Sequence, residues 1–206
     1  MIIPSVRVKY LSDEKGYGLI ATERIPKGTV TFVQDGLDIV ISETQIEVYP
    51  EELLDHINKY SYEDYLGNRI ISWDLAKYMN HDDDANTLTT GYGFEIAIKD
   101  IEIGQEVTDD YRIFSTHHDT TFKVTHGPLQ DLKPWPRELI TYWDEEISDA
   151  LLFFEKVNQP LLSLISKDVI NDVSRYLSAN IYRSVNHSLP LRYIQLTSSE
   201  SKLHTP

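Results

Sequence analysis

The hydrophobic period of this chain changes once, between residues 113 and 134, and that change restricts the fold more than any other feature. Before it, β-branched and aromatic residues fall into short runs at 6–10, 18–21, 29–34, 37–42, 69–73 and 94–99. Gly16, Pro26-Lys27-Gly28 and Asp35-Gly36 punctuate them. Runs of that length between turn-forming residues predict strands. After it, Leu139, Ile140, Trp143, Ile147, Ala150, Leu151, Phe154 and Val157 recur every three or four residues, one apolar face of a helix that Pro136 suits at its start and Pro160 breaks. A second helix is expected over about 167–183, with Ile170, Val173, Leu177 and Ile181 on one face; the tail from Ser184 has little periodicity. The expected organisation is a strand-rich domain at 1–113 with an insert at about 43–75, where Pro50-Glu51-Glu52 starts a helix. A connecting loop at 114–134 and a helical segment at 135–206, packed on the first part, complete it. The two apolar stripes need cover from the core, from each other or from a second copy, so a homodimer is one open arrangement.

Composition removes several functions. The 206 residues include no cysteine, which excludes disulfides, thiolate zinc sites and a cysteine nucleophile. A hydrophobic share of 41% against 25% charged is that of a globular chain. No apolar run approaches the ~20 residues of a membrane helix, and Met1-Ile2-Ile3-Pro4 lacks a basic export signal. A cytoplasmic protein, nuclear in a eukaryote, is therefore expected, with no membrane partner. The net charge is −14, and residues 1–113 hold 22 acidic against 10 basic residues. Such a surface repels nucleic-acid phosphates and attracts basic polypeptides. It also serves plain solubility.

Three segments carry chemistry. Gly16-Tyr17-Gly18 lets a ligand approach the backbone, although it lacks the third glycine and the helix of a dinucleotide fingerprint. Lys77-Tyr78-Met79-Asn80-His81 runs into Asp82-Asp83-Asp84-Ala85-Asn86. The third, residues 97–111, leads through Gly104 to Glu106-Val107-Thr108-Asp109-Asp110-Tyr111. Taken singly, Tyr111 is a packing tyrosine, one of 13, and Asn80-His81 a turn. Asp82–Asn86 imitates a calcium loop but has Thr87 where glycine belongs and Gly93 where glutamate belongs. His117, His118, Asp119 and His126 read as a solvated loop rather than a metal site.

In this order the three segments resemble the SET-domain family of protein-lysine methyltransferases, in its short, cysteine-free, microbial form. That family has a Gly-x-Gly followed by a stretch like ATERIPKGT. It then has an RFxNHSxxPN-like segment, here KYMNHDDDAN, and an ELTxDY-like segment, here EVTDDY. The resemblance covers about residues 5–112. It implies a mostly β SET fold of short twisted sheets with a pseudoknot-like threading, joined here to a C-terminal α-helical segment. It implies S-adenosylmethionine as cofactor and no metal. Gly16, Tyr17 and Gly18 would border the cofactor's methionine end, the Asn80 side chain and the His81 backbone would hold it, and Asn86 would fasten the loop. Tyr111 would be the catalytic tyrosine, and Tyr78 and Phe114 are candidate substrate contacts. The aromatic that closes the site is open between Phe114, Phe122 and Trp135. Asp109 and Asp110 read as loop or surface charges.

The reaction explains this residue set. A lysine amine is protonated in water, with a pKa near ~10.4. The site must desolvate it and aim its lone pair at a methyl group whose leaving group is already good, so placement counts for more than a strong base. Lys77, Asp82 and Ala85 stand where the family usually has arginine, serine and proline. The expected partner is a basic protein, histone-like or ribosomal, with no direct nucleic-acid contact. The alternatives are a SET-derived protein-binding module without catalysis, and a methyltransferase acting on another side chain.

Overall fold

The structure, a computed structural model, describes residues 1–114 and 135–190. The short runs become ten strands. β1 (Val6–Ser12) and β2 (Gly16–Ala21) form a hairpin, and β2 pairs on its other edge with β10 (Glu106–Asp109), antiparallel. β10 then runs parallel to two strands from earlier in the chain, β7 (Asn80–His81) and β8 (Thr87–Thr89). β8 continues to β9 (Phe94–Ala97), and β9 to β3 (Val30–Val33), both antiparallel. A late strand thus lies between the N-terminal hairpin and the 80–89 segment. That placement makes neighbours of residues 80–86 and 106–111.

The insert forms its own sheet in the order β4 (Ile39–Ile41), β6 (Arg69–Ile71), β5 (Ser61–Glu63). Two helices, α1 (Glu43–Ile46) and α2 (Glu51–Tyr60), connect β4 to β5. Its position changes the burial of β9. Alternation alone would turn Glu95 to solvent, but all four residues of β9 are buried, because Tyr62 and Glu63 of β5 stand over the second face and share a cleft with Glu95.

α3 (Arg137–Leu151) buries Trp143, Ile147, Ala150 and Leu151 in the same core as β3 and β9. It stops at Leu151, short of the Val157 that the spacing suggests. Gly28 sits so close to the helix end that a Cβ there would lie 2.6 Å from the Phe153 Cβ and 2.9 Å from the Ala150 carbonyl oxygen. The chain instead tightens into i→i−3 turns, which bring the Phe154 ring to 6.0 Å from Phe94. Gln159 then donates to the Gly28 carbonyl at 2.7 Å and accepts from Val30 N at 2.9 Å. α4 (Lys167–Ala179) begins at Ser166, whose hydroxyl accepts from Val169 N at 3.3 Å. It ends at Asn180 in the left-handed conformation, φ 57°, rather than at 183; a short polar residue tolerates that geometry. Asp144 of α3 gathers the following segment by accepting from Tyr182 Oη, Ser184 Oγ and Val185 N at 2.6–2.9 Å. The expected loop at 114–134 beyond Phe114, with Phe122 and the three loop histidines, and the tail after 190 lie outside the described residues.

Candidate active site

The Asn86 side chain completes β10 as a strand residue would. Its Nδ2 donates to the Glu106 carbonyl at 2.8 Å, and its Oδ1 accepts from Thr108 N at 3.0 Å. Six residues earlier, Asn80 Nδ2 donates to the Tyr17 carbonyl at 3.1 Å and to the Glu106 carboxylate at 2.8 Å, which also meets Lys15 Nζ at 2.9 Å. Gly18 faces this junction, and a Cβ there would come within 2.8 Å of both Asn80 Nδ2 and Glu106 Oε1. A side chain there would push these two groups aside. Gly16, Tyr17, Gly18, Asn80 and Glu106 therefore share one corner. Over it the half-exposed Tyr17 ring packs edge-on against Tyr78 at 6.2 Å, and Tyr78 packs against Tyr60 at 6.3 Å.

His81 leads to Tyr111. The Tyr111 backbone N donates to His81 Nδ1 at 3.2 Å, and the two rings are 5.6 Å apart. The Tyr111 hydroxyl donates to the Met79 carbonyl. Burial, with the charges of Asp109, Glu95 and Glu106 adding to it, pushes the hydroxyl pKa well above that of free tyrosine. The group is a neutral donor and not a base at any ordinary pH.

Asp109 and Asp110 are not surface charges: both are inside, at 0% and 1% exposure. Asp110 accepts from Arg112 Nε at 2.7 Å, Arg112 Nη2 at 2.6 Å and Trp143 Nε1 at 2.8 Å, so it clamps α3 to the end of β10. Asp109 points the other way, towards Glu95. Burial, and the charge of Asp110, push Asp109 up to about 8, while burial and Asp109 push Glu95 well above the carboxylate range. The Asp109 Oδ2 and Glu95 Oε2 atoms are buried with no hydrogen-bond donor among the described residues. Two carboxylates cannot donate to one another, but a pair holding one shared proton can, and that state answers both observations.

Between the insert and the main sheet lies a cleft of 430 Å³. Tyr111, Met79 and Phe114 line one side, Tyr60, Tyr62 and Glu63 another, and Glu95 also lines it. Of the sequence-derived candidates, Tyr111 and Phe114 reach this cleft. Gly16, Tyr17, Gly18, Tyr78, Asn80 and His81 do not line it; His81 stands against Tyr111, Tyr78 packs on Tyr60 of the cleft, and Tyr17 and Asn80 join Tyr78 to the glycine corner. Trp135 is buried, with its Nε1 on the Arg112 carbonyl at 2.6 Å, and does not line the cleft. Lys77, the departure from arginine, lines the cleft; Ala85 is buried and Asp82 accepts from Asp84 N at 3.0 Å. Among the described residues no group of three or more His, Asp or Glu could hold a metal ion.

Sequence reading missed Glu95, Glu63, Arg69, Tyr60 and Tyr62. A signal for Glu95 was present, a lone carboxylate between Phe94 and Ile96 in a strand. Glu63 and Arg69, opposite charges flanking a turn, are paired in register across β5 and β6.

A search of curated proteins finds no relative of the chain. Among solved structures, a crystal structure of a Plasmodium falciparum "putative histone methyltransferase" is similar, at 18% identity and a TM-score of 0.38, covering 53% of this chain and 95% of that one. At that distance it bears on neither activity nor substrate. The family model of the SET domain matches residues 16–112, the span from the glycine corner to the Asp110–Arg112 clamp. The mostly β fold of short sheets with added helices is a SET fold, and residues 16–112 match the SET-domain family.

Proposed function

We propose that this protein transfers a methyl group from S-adenosylmethionine to a lysine of a basic protein. The observation that carries the reading is the Tyr111 hydroxyl, held on the Met79 carbonyl at the wall of the cleft and next to the glycine corner. The corner fits the cofactor's amino-acid end: the Tyr17 carbonyl and the Glu106 carboxylate are acceptors for an ammonium, and open space lies beside Gly16, where a Cβ would meet nothing within 4 Å. Gly16, Tyr17, Gly18, Asn80 and His81 would hold the cofactor, which when bound supplies an electrophilic methyl on a sulfonium.

The chain's own residues do the rest. The aromatic walls Tyr60, Tyr62 and Phe114 strip water from an entering lysine stem. Tyr111, fixed at backbone N, ring and hydroxyl, limits the directions from which the nitrogen approaches; such placement is worth several kcal/mol of a barrier. Tyr78, packed between Tyr17 and Tyr60, supports the rim. The acidic first 113 residues attract a basic polypeptide and repel nucleic acid.

The test is incubation of the purified chain with labelled S-adenosylmethionine and a set of basic proteins, core histones among them, with mass spectrometry to locate the label. Label on a lysine is the expected result. Calorimetry that finds no cofactor binding would overturn the reading, and binding without transfer to any of the proteins would favour the non-catalytic module.

A further inference from the structure

We propose that Glu95, backed by Asp109, forms a subsite of the cleft that takes a lysine ammonium of the protein substrate and gives up a proton as it does so. The lysine identity rests on the methyltransferase reading; the demand for a cation rests on geometry.

Glu95 is 7% exposed, lies on a central strand between Phe32 and Thr89 in register, and lines the cleft. It makes no ion pair among the described residues, and its Oε2 has no hydrogen-bond donor. The other charges of the cleft are placed differently. Glu63 stands opposite Arg69 in register, and the Lys59 and Lys77 ammoniums lie over the Tyr60 and Tyr78 rings at 5.4 and 5.8 Å. Asp55 is exposed to water, whereas Glu95 is a buried acid of the cleft with no ion pair among the described residues. A buried carboxylate without a cation is costly, so a ligand that brings one gains what the fold has left unsatisfied. Phe32, Tyr60, Tyr62 and Phe114 line the same space. Aromatic walls around a carboxylate suit a chain with an apolar stem and a cationic end.

Every group facing Glu95 enters the pH argument. Asp109 from β10 and Tyr62 and Glu63 from β5 are acids or phenols, Tyr111 stays neutral, and Arg69 of β6 faces Glu63. The Met1 ammonium favours the charged form but is held by Asp35 at 3.0 Å. Without a ligand, burial and Asp109 keep a proton on the pair near neutral pH. An arriving ammonium replaces that proton, which leaves the carboxyl O–H for solvent while the carboxylate and the ammonium pair. No other bond changes.

The experiment uses the whole chain and an eight-residue peptide of alternating lysine and glycine, with the same peptide acetylated at every lysine as control. Binding is measured by calorimetry from pH 6 to 8.5 in two buffers of different ionisation heat. The unmodified peptide should bind with proton release and tighten with pH, by up to about tenfold per unit while the pair still holds its proton. The acetylated peptide should bind at least about tenfold more weakly, about 1.4 kcal/mol by the usual conversion. Glu95→Gln should melt cooperatively, lose that affinity at pH 8 and lose the pH dependence. Asp109→Asn should still bind and show the rise at lower pH, a shift that a merely structural role does not produce. No binding by the native chain, equal binding of both peptides, or an unchanged pH dependence in Glu95→Gln each overturns the proposal. If the binding pattern holds while no methyl is transferred to any protein, the enzyme reading fails alone. If methyl transfer is found and Glu95→Gln keeps its pH-dependent binding, the subsite fails alone.

Discussion

Two carboxylates stand side by side at the end of β10, and their surroundings differ in kind. Asp110 is enclosed by donors: both nitrogens of one guanidinium edge, the Trp143 indole and the Arg112 backbone N at 3.0 Å. Asp109, one residue earlier, faces the opposite side of the segment and meets another acid, Glu95. The strand's alternation sends one side chain to α3 and the other towards Glu95, which lines the cleft. A buried charge whose lone pairs are filled by the protein is a clamp. One left facing another acid beside a cavity stores a preference for a cation. The difference teaches that burial alone does not separate structure from function, and that the completeness of the partner set does.

The comparison breaks most visibly at the clamp. Asp110→Ala leaves Arg112 buried without its main partner and frees the Trp143 N–H, and removing one side of a buried pair costs about 3–5 kcal/mol. Urea denaturation should show a loss of that size, with the α3 attachment weakened before the main sheet. Asp109→Ala should cost less in the same assay, because it removes an acid with one backbone donor, Asp110 N at 2.7 Å on Oδ1, and none on Oδ2 among the described residues. Equal losses would mean that the two sites are energetically alike.

A smaller effect is expected between the two, at Tyr111. Its hydroxyl donates to a backbone carbonyl, and its backbone N and ring hold it independently of that bond. Tyr111→Phe should keep the fold and cofactor affinity while lowering turnover by at least about tenfold, roughly 1.4 kcal/mol of barrier. A single-turnover assay beside a melting curve checks both halves. Unchanged turnover would remove Tyr111 from the reaction.

How far this was legible in the sequence differs between the same two sides. Local signals sufficed for the glycine corner and its neighbours: Gly18, Asn80, Asn86 and Tyr111 stand out by residue type and order, and each makes short, definite contacts in the fold. The stripe of Trp143, Ile147 and Leu151 announced a buried helix. Its early end did not show, because it depends on Gly28, more than 120 residues away in the chain. Asp109 and Asp110 look identical as letters. Which of them meets Arg112 and Trp143 is set by strand alternation and by a helix from the far end of the chain. Glu95 was hidden for a related reason: its burial depends on the insert folding over β9, a tertiary event that the period of two does not encode.

The last and smallest effect separates the two sides by pH. Glu95 and Asp109 have folded-state pKa values raised above their unfolded ones, Asp109 to about 8, by burial and by nearby like charge. Acids of this kind bind their proton more tightly in the folded state. Their contribution to stability is therefore fully present below about pH 4, the unfolded carboxylate pKa, and is lost as pH rises through the folded value near 8. Melting curves between pH 5 and 8.5 should show stability falling with pH in the native chain. Glu95→Gln, which keeps the shape and removes one titrating group, should flatten that fall and melt higher at pH 8 by about 1 kcal/mol, the lower end of the cost of an unsatisfied buried polar group. At pH 5 the two proteins should melt nearly alike, since the pair is protonated there in either case. A variant less stable than the native chain at pH 8 would mean that the Glu95 carboxylate is satisfied in the folded protein, and that the contrast with Asp110 is one of degree.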